Sequence, residues 1–418
     1  MNFKTSSKFF LLSALYFSQG IPNGFFRHTV PVIFRDSGVS LEQIALFYPA
    51  LYAPWMLKFI WSIFVERFHS EKQGKYRSWI IPLQILTAGV MVALANWEFG
   101  SPISIFVLAV ALINIFSSIQ DISTDGFAVE LLGHQERGWG NAIQVGTFWV
   151  GYVVGGGVIL MLLNQLGWNI VLVAMSVVTI LSTIPILLIK RSTPNIITEQ
   201  KQSSKKFSGL LGFLVQPNVI KVLTLVATFR AIEGFIRSLL PTMFKDWGMK
   251  FEEIGLILGV LAPVSAMVGA LFAGFFINRI GRFRALMIFG SMQIFSALGY
   301  MLLSNGIATV NIFSILPVVV LDHIISGMTT VALFSLMMDW SRKRQGGTDY
   351  TAMDCIGVFA MMLGASVSYF IASQGGYSLS FGLGIPIIAI SIFVVRSLYL
   401  KLQNDARWKN TNNKNSFI

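Results

Sequence analysis

The sequence is poor in charged residues and contains almost no cysteine. Only 12% of its 418 residues are Asp, Glu, Lys or Arg, about half the share that soluble domains carry. The single cysteine, Cys355, excludes an intramolecular disulfide and a cysteine metal cluster. The four histidines are scattered, and neither an H-E-x-x-H nor a G-x-S-x-G motif occurs. These absences argue against an enzyme, and we expect no metal and no cofactor.

What the sequence has in abundance is apolar residues. Hydrophobic side chains make up 54% of the chain, and the mean hydropathy is +0.68. A helix that crosses a membrane needs roughly 20 mostly apolar residues. The sequence therefore predicts an all-α membrane protein with twelve transmembrane helices. They are predicted at 9–34, 41–65, 78–97, 102–132, 138–163, 167–189, 218–244, 251–278, 285–304, 310–340, 349–373 and 379–400.

An internal repeat organises these helices. Residues 24–46 match residues 234–256 without a gap at a shift of 210 residues. The matching pairs include Gly24/Gly234, Arg27/Arg237, Pro31/Pro241, Asp36/Asp246 and Glu42/Glu252. Such a repeat indicates two related halves. The predicted parts are a six-helix half at 1–190, a cytoplasmic linker at 191–217, a second six-helix half at 218–402 and a cytoplasmic tail at 403–418.

The net charge of +12 could indicate a nucleic-acid partner, but its distribution indicates membrane topology instead. With the N-terminus inside, only Arg35, Lys245 and Lys250 fall in loops on the outer side. Most other Lys and Arg residues fall in the tails and the inner loops, as the positive-inside rule requires. We therefore expect both termini in the cytoplasm, a lipid bilayer as partner, no nucleic acid, and a monomer.

The first predicted helix has a polar face. Tyr16, Gly20, Asn23 and Arg27 follow one another at spacings of 4, 3 and 4 residues, so they share one side of a helix. That side cannot face lipid. Arg27 is either a structural charge in the core or part of a clamp for an anionic ligand, and charges inside a membrane usually serve function. We predict that Tyr16, Asn23 and Arg27 contact a small anionic substrate.

The seventh predicted helix repeats this pattern with more charge. Arg230, Glu233 and Arg237 lie at i, i+3 and i+7, so Glu233 is able to pair with both arginines. The net charge of the three is positive. All three are predicted substrate contacts, with Arg237 equivalent to Arg27.

The fourth predicted helix is the most polar. Asp121 and Asp125 lie one turn apart on the same face, and two such carboxylates repel each other when both are ionised. Two interpretations remain open. The pair is either a proton-coupling site or part of an inner gate that pairs with Lys58 or Arg137.

Further ionisable residues are candidates for the same coupling or gate network. They are Glu130 at the inner end of the fourth helix, Asp322 and His323 in the tenth, and Asp354 in the eleventh. Adjacent residues point to different faces of a helix, so a direct relay between Asp322 and His323 is not expected. His323 is either a hydrogen-bonded core residue or a proton carrier.

Several short motifs carry a family resemblance. LKFIW at 57–61, QDISTD at 120–125, ERGWG at 136–140 and the loop NRIGRFR at 278–284 together resemble the major facilitator superfamily, in its AmpG/acetyl-CoA transporter-like branch. The resemblance implies two pseudo-symmetric six-helix halves around a central cavity. It also implies a transporter of the bacterial inner membrane that works by alternating access.

Two longer segments refine this resemblance. RSWIIPLQ at 77–84 and ERGWGNAIQVG at 136–146 are most similar to RhtX/FptX-like siderophore importers. This implies proton-driven import of a siderophore or iron-siderophore from the periplasm. The alternative is an AmpG-like muropeptide permease or another organic-anion transporter of the superfamily. Gln144 and Trp149 of the fifth helix are further predicted substrate contacts, and Trp149 stands where the family pattern has arginine.

Other classes of function fit less well. A membrane receptor or scaffold usually carries a soluble signalling segment, and none is predicted. The glycines of the fifth helix are predicted to pack helices and not to bind phosphate, because no strand precedes them. The lack of a P-loop argues against direct use of ATP.

Overall fold

The computed structural model is helical throughout the part of the chain that it describes. It describes residues 5–68, 70, 74, 76–97, 102–132, 137–188, 212–306, 311–341 and 346–403. No β-strand occurs within these ranges. The side chains of Glu130 and Arg137, and most of the predicted linker and tail, lie outside the described part.

In the described part of the chain, six helices, α1 to α6, precede the predicted linker. Helix α1 comprises Thr5–Gly24, a π-helical turn at Phe25–Thr29 and Val30–Asp36. Helix α2 comprises Leu41–Ala45, Phe47–Met56 and Lys58–Arg67. Helices α3 and α4 are Arg77–Ala95 and Ile103–Leu131. Helix α5 comprises Arg137–Val153, a second π-helical turn at Val154–Val158 and Ile159–Leu166, and α6 comprises Trp168–Leu181 and Ile184–Leu188.

Six more helices, α7 to α12, follow the linker. Helix α7 comprises Val219–Arg237 and Leu240–Asp246, and α8 comprises Phe251–Ile254, a π-helical turn at Gly255–Leu261 and Ala262–Ile280. Helices α9 and α10 are Arg282–Ser304 and Ile312–Trp340. The stretch Gly346–Gln403 leaves helical geometry at Gly375 and Gly376, which divides it into α11 and α12. The all-helical class and the twelve predicted helices are confirmed within the described ranges.

Nine stretches of the described chain are long and apolar enough to cross a membrane. One of them, Asp349–Leu402, holds both α11 and α12. Gly376 has a φ of 77°, a conformation that favours glycine, so the chain is able to break the helix there. Helices α1 and α7 are not among the nine, because arginines and polar residues lower their hydropathy. These are the two helices of the repeat.

The described helices pack into two compact units. The first unit contains the described residues within Met1–Val39, Pro49–Gln200 and Phe244–Val260. The second contains those within Ser40–Tyr48, Lys201–Met243 and Leu261–Ile418. Each unit has an apolar core. Leu11, Leu15 and Ile80 belong to a core cluster of the first, and Phe229 and Phe289 belong to the core of the second.

Glycines bring α1 and α5 into close contact within the first unit. A Cβ atom on Gly20 or Gly24 would overlap the backbone carbonyl of Phe148 or Tyr152, respectively. A Cβ on Gly155 would overlap the carbonyl of Ile21. Small residues four positions apart on both helices allow this approach of two backbones. These glycines therefore have the predicted role of packing two helices together.

The contact between α1 and α5 leads to a stability prediction. Gly24→Val should destabilise the protein by about 1–3 kcal/mol or more, because the new side chain meets rigid backbone and the helices must separate. Gly89→Val in α3 is the matched control, since nothing lies within 4 Å of a Cβ at that position. Thermal melting in detergent should show a lower midpoint for the first variant only. Equal midpoints would contradict the close contact.

Candidate functional site

Five predicted residues meet in one network in the first unit. Lys58 forms an ion pair with Asp121, and its Nζ atom lies 4.0 Å from an oxygen of Asp125. The other oxygen of Asp125 accepts hydrogen bonds from the Tyr16 hydroxyl at 2.7 Å and from the Gln144 amide at 3.0 Å. Helices α1, α2, α4 and α5 thus each supply a side chain. Tyr16 and Gln144, predicted as substrate contacts, both donate to Asp125, one member of the predicted coupling pair.

The two carboxylates of this network have different surroundings. Asp121 is paired directly with a cation, and its side chain is 16% exposed. Asp125 is held by two neutral donors, and its side chain is 44% exposed. Asp125 is therefore the more exposed of the two carboxylates, and Lys58 lies 4.0 Å from it.

Arg27 lies in the π-helical turn of α1, a type of turn that often marks functional sites. Its guanidinium carbon lies 4.8 Å from the centre of the Tyr52 ring. Its Nε atom is buried and has no hydrogen-bond partner among the described residues. In the described part of the chain, no carboxylate forms an ion pair with Arg27. Asn23, also a predicted contact, is buried one turn before it.

Aromatic residues lie near the π-helical turn of α1 that holds Arg27. The His28 ring nitrogen lies 2.9 Å from the Tyr152 hydroxyl. The Trp149 ring packs edge-on against the Tyr152 ring with centroids 5.1 Å apart. The sequence pattern did not select Tyr52 or Tyr152, because a tyrosine in an apolar helix gives no sign of the charge that it will contact.

The second unit holds a buried ion pair. Arg237 donates to Asp322 at 3.1 Å, and the Asp322 side chain is completely buried. The Tyr300 hydroxyl donates to the same carboxylate at 3.2 Å. Glu233 accepts a hydrogen bond from Arg230 at 2.5 Å. The prediction that Glu233 pairs with both arginines is thus met for Arg230, whereas Arg237 binds a carboxylate 85 residues away.

His323 stands beside this ion pair. Its Nδ1 atom lies 2.9 Å from the Val319 carbonyl oxygen and 3.5 Å from an oxygen of Asp322. The carbonyl can only accept, so Nδ1 carries a hydrogen in this arrangement. The two adjacent side chains therefore come closer than their positions on the helix predicted.

The other predicted gate residue of this unit is Asp354 in α11, which is half-buried. A Cβ on Gly357, one turn further along, would lie 3.0 Å from the Arg230 side chain. The Arg230 guanidinium also lies 5.7 Å from the Phe334 ring. Asp354 therefore lies on a helix that packs against Arg230.

The equivalent arginines of the repeat differ in their surroundings. Arg237 has a buried carboxylate as partner, and Arg27 has an aromatic ring. A buried arginine paired with a carboxylate is largely neutralised. Arg27 is the one of the two that has no carboxylate partner among the described residues, although Nε and Nη1 of Arg237 also lack hydrogen-bond partners there.

The repeat also contributes two reciprocal ion pairs to the first unit. Arg35 lies 2.6 Å from Asp246, and Lys245 lies 2.7 Å from Asp36. The four residues occupy equivalent positions under the shift of 210 residues. Lys245 also lies 4.5 Å from the centre of the Phe251 ring. These pairs hold the end of α7 to the end of α1.

A charge exchange tests these pairs. Arg35→Asp and Asp246→Arg should each lower the melting temperature, because each places like charges opposite each other. Single exposed pairs contribute only about 0–1 kcal/mol, so the shift from each should be a few degrees. The double variant should recover most of the loss. Glu42→Lys with Arg35→Asp is the control, and recovery there would contradict specific pairing.

Comparison with known proteins gives a family. The family model described as Major Facilitator Superfamily matches residues 12–338. Over 401 residues the chain is 27% identical to the anhydromuropeptide permease of Escherichia coli (strain K12), covering 94% of this chain and 81% of the relative. It is 21% identical over 344 residues to a Rickettsia conorii protein designated AmpG 4, covering 80% and 82% of the two chains. These relatives support the predicted AmpG-like branch.

Solved structures agree in fold. A bacterial homologue of the human lysosomal transporter Spinster, inward-facing and occupied, superposes with a TM-score of 0.70 at 14% identity, covering 99% of this chain and 98% of that one. The nucleoside transporter NupG gives a TM-score of 0.71 at 12% identity, covering 95% and 99%. At these identities the likeness shows the fold alone.

Proposed function

This chain belongs to the Major Facilitator Superfamily, and we propose that it imports an anionic peptidoglycan fragment, an anhydromuropeptide, by proton-driven alternating access. The proposal depends on the surroundings of Arg27. Its charge lies in the first predicted span, at 9–34, without a carboxylate partner among the described residues. The chain is a multi-pass membrane transporter, and the proposal concerns its substrate and energy source.

Arg27 favours an anionic ligand for two reasons. A charge inside a membrane protein is costly unless an opposite charge or a polar environment compensates it. A carboxylate of the ligand would supply that compensation. The guanidinium also offers two parallel donors, which match the two oxygens of a carboxylate. The peptide part of a muropeptide carries such carboxylates.

The proposed energy source is the proton gradient, and the carrier is Asp125. This carboxylate is partly exposed and is held by neutral donors, with Lys58 at 4.0 Å. When Asp125 takes up a proton, its attraction for Lys58 weakens. The network that joins α1, α2, α4 and α5 then has fewer charges to hold it in one arrangement. Protonation is thereby linked to the packing of four helices.

The relatives support the muropeptide over the siderophore. The similarity to the Escherichia coli anhydromuropeptide permease extends over 94% of this chain. The similarity to RhtX/FptX-like importers depends on two segments, 77–84 and 136–146, and remains a prediction. Import of a siderophore or iron-siderophore is therefore the second candidate, and Trp149 in place of an arginine is the residue that bears on the choice.

We also propose that the protein lies in the bacterial inner membrane as a monomer, with both termini in the cytoplasm. The asymmetric placement of Lys and Arg supports this orientation. A cysteine introduced at Ser203, in the predicted linker, should resist an impermeant thiol reagent in intact cells and react after lysis. A cysteine at Ser37, between α1 and α2, should react in intact cells. The reverse pattern would overturn the orientation.

A deletion strain separates the two candidate substrates. The muropeptide proposal expects the strain to release peptidoglycan fragments into the medium and to grow normally on siderophore iron. Wild-type protein supplied from a plasmid should restore retention of the fragments, and the Arg27→Ala variant should not. Loss of growth on a siderophore, with the outer-membrane receptor intact and no fragment release, would move the assignment to siderophore import.

A further inference from the structure

Helix α5 has three faces in the first unit, and each meets a different environment. One face carries Gly151 and Gly155 and packs against the backbone of α1. A second face carries exposed aliphatic side chains, as expected for contact with lipid. These side chains are Val150, Val158 and Leu162. The third face carries Trp149.

The third face is covered in its later part. A Cβ on Gly157 would contact the backbone of Gly259, and a Cβ on Gly156 would lie 3.1 Å from the His28 ring. Gly157 follows Trp149 by eight residues, and one α-helical turn plus one wider π-helical turn together contain about eight residues. Trp149 therefore shares a side of α5 with Gly157, a different side from that of Val150 and Val158.

The earlier part of the same face is open. The Trp149 side chain is 41% exposed, although it lies on the face that the protein covers two turns later. Its ring is fixed against Tyr152, with an angle of 66° between the ring planes. The Tyr152 hydroxyl in turn contacts His28, the neighbour of Arg27. A flat and exposed ring is thus linked through Tyr152 and His28 to the residue next to Arg27, which the proposed function assigns to ligand binding.

From this arrangement we propose that Trp149 is a stacking platform for a ring of the transported ligand, and that Arg27 binds a carboxylate of the same molecule. The proposal rests on the proposed function and adds that recognition has two parts. Tryptophan offers a large apolar surface with little loss of side-chain entropy and stacks on flat or ring-shaped groups. In an anhydromuropeptide that group is the sugar ring. A catechol ring of a siderophore would present the same chemistry.

Uptake by purified protein in liposomes tests the platform. The probes are an anhydromuropeptide and the peptide part of the same molecule without its sugars. Trp149→Ala should raise the KM for the complete molecule by about tenfold, the loss expected for one stacking contact. It should leave the KM for the peptide part unchanged. Trp149→Phe should retain most of the affinity, because a smaller ring still stacks.

Val150→Ala, on the lipid side of the same helix, is the matched control and should change neither KM. A purely structural role for Trp149 would alter both probes alike, which would overturn the proposal. Unchanged KM values in Trp149→Ala, with normal uptake by the wild type, would overturn the platform and leave the proposed function standing.

Failure of the wild type to transport the anhydromuropeptide would overturn the proposed function. In that case the same variants are tested with a catecholate iron-siderophore. A higher KM in Trp149→Ala than in the wild type would support the platform, and an equal KM would overturn it.

Discussion

Replacing Arg27 by lysine should reduce uptake almost as much as replacing it by alanine, in both cases by roughly 100-fold, the cost of a lost buried charge-assisted contact. The guanidinium lies 4.8 Å from the Tyr52 ring and has a buried Nε atom without a partner among the described residues. Lysine keeps the charge but loses the planar fork that matches a carboxylate. Initial uptake rates, corrected for the amount of protein in the membrane, measure the effect.

Arg237 supplies the matched comparison. Arg237→Ala should lower the amount of folded protein, because it leaves the buried Asp322 carboxylate without its cation, at a cost of about 3–5 kcal/mol. Arg27→Ala should leave the amount near wild type. Normal uptake by Arg27→Lys would refute two-point recognition of a carboxylate. Disappearance of both Arg27 variants from the membrane would make Arg27 a structural residue.

The second large effect is expected at Asp125. Asp125→Asn should abolish uptake against a concentration gradient, because the amide cannot take up a proton. Exchange of substrate across the membrane should continue, since asparagine keeps the shape and an acceptor for Tyr16 and Gln144. Accumulation driven by an imposed proton gradient, compared with counterflow of labelled substrate, separates the two activities. Normal accumulation in Asp125→Asn would exclude Asp125 as the carrier.

Asp121 should behave differently in a double variant. Asp121→Asn alone removes the ion pair between Lys58 and Asp121, and the Nζ atom of Lys58 already lies 4.0 Å from Asp125. Lysine should then pair with Asp125 and prevent its protonation, so accumulation is lost. Adding Lys58→Met should restore accumulation to Asp121→Asn but not to Asp125→Asn. Failure of this rescue would give Asp121 a share in carrying the proton.

The fold could be predicted from the sequence because lipid imposes a simple rule. Each span needs about 20 apolar residues, and the repeat at a shift of 210 residues fixes the number of halves. The π-helical turns at Phe25–Thr29 and Val154–Val158 could not be predicted. One extra residue in a turn leaves no mark on hydropathy. Such a turn depends on contacts with the neighbouring helix. Here the Thr29 hydroxyl donates a hydrogen bond to the Gly155 carbonyl oxygen at 3.0 Å.

The candidate site could be predicted in part. Spacing on one helix correctly placed Asp121 and Asp125 together and brought Arg230 to Glu233. Contacts between helices distant in sequence were harder. Arg237 pairs with Asp322 in α10 and not with Glu233, which is nearer in sequence. This pairing depends on how α7 and α10 pack. The two arginines looked equivalent in the repeat, and only their surroundings distinguish them.

Proton-driven import is tested most directly by the accumulation of a labelled anhydromuropeptide by purified protein in liposomes. With an inward proton gradient, the label should accumulate above its external concentration. A protonophore should abolish it, and Arg27→Lys and Asp125→Asn should not show it. Absence of any uptake by the wild type, or accumulation that persists without a proton gradient, would contradict the central claim.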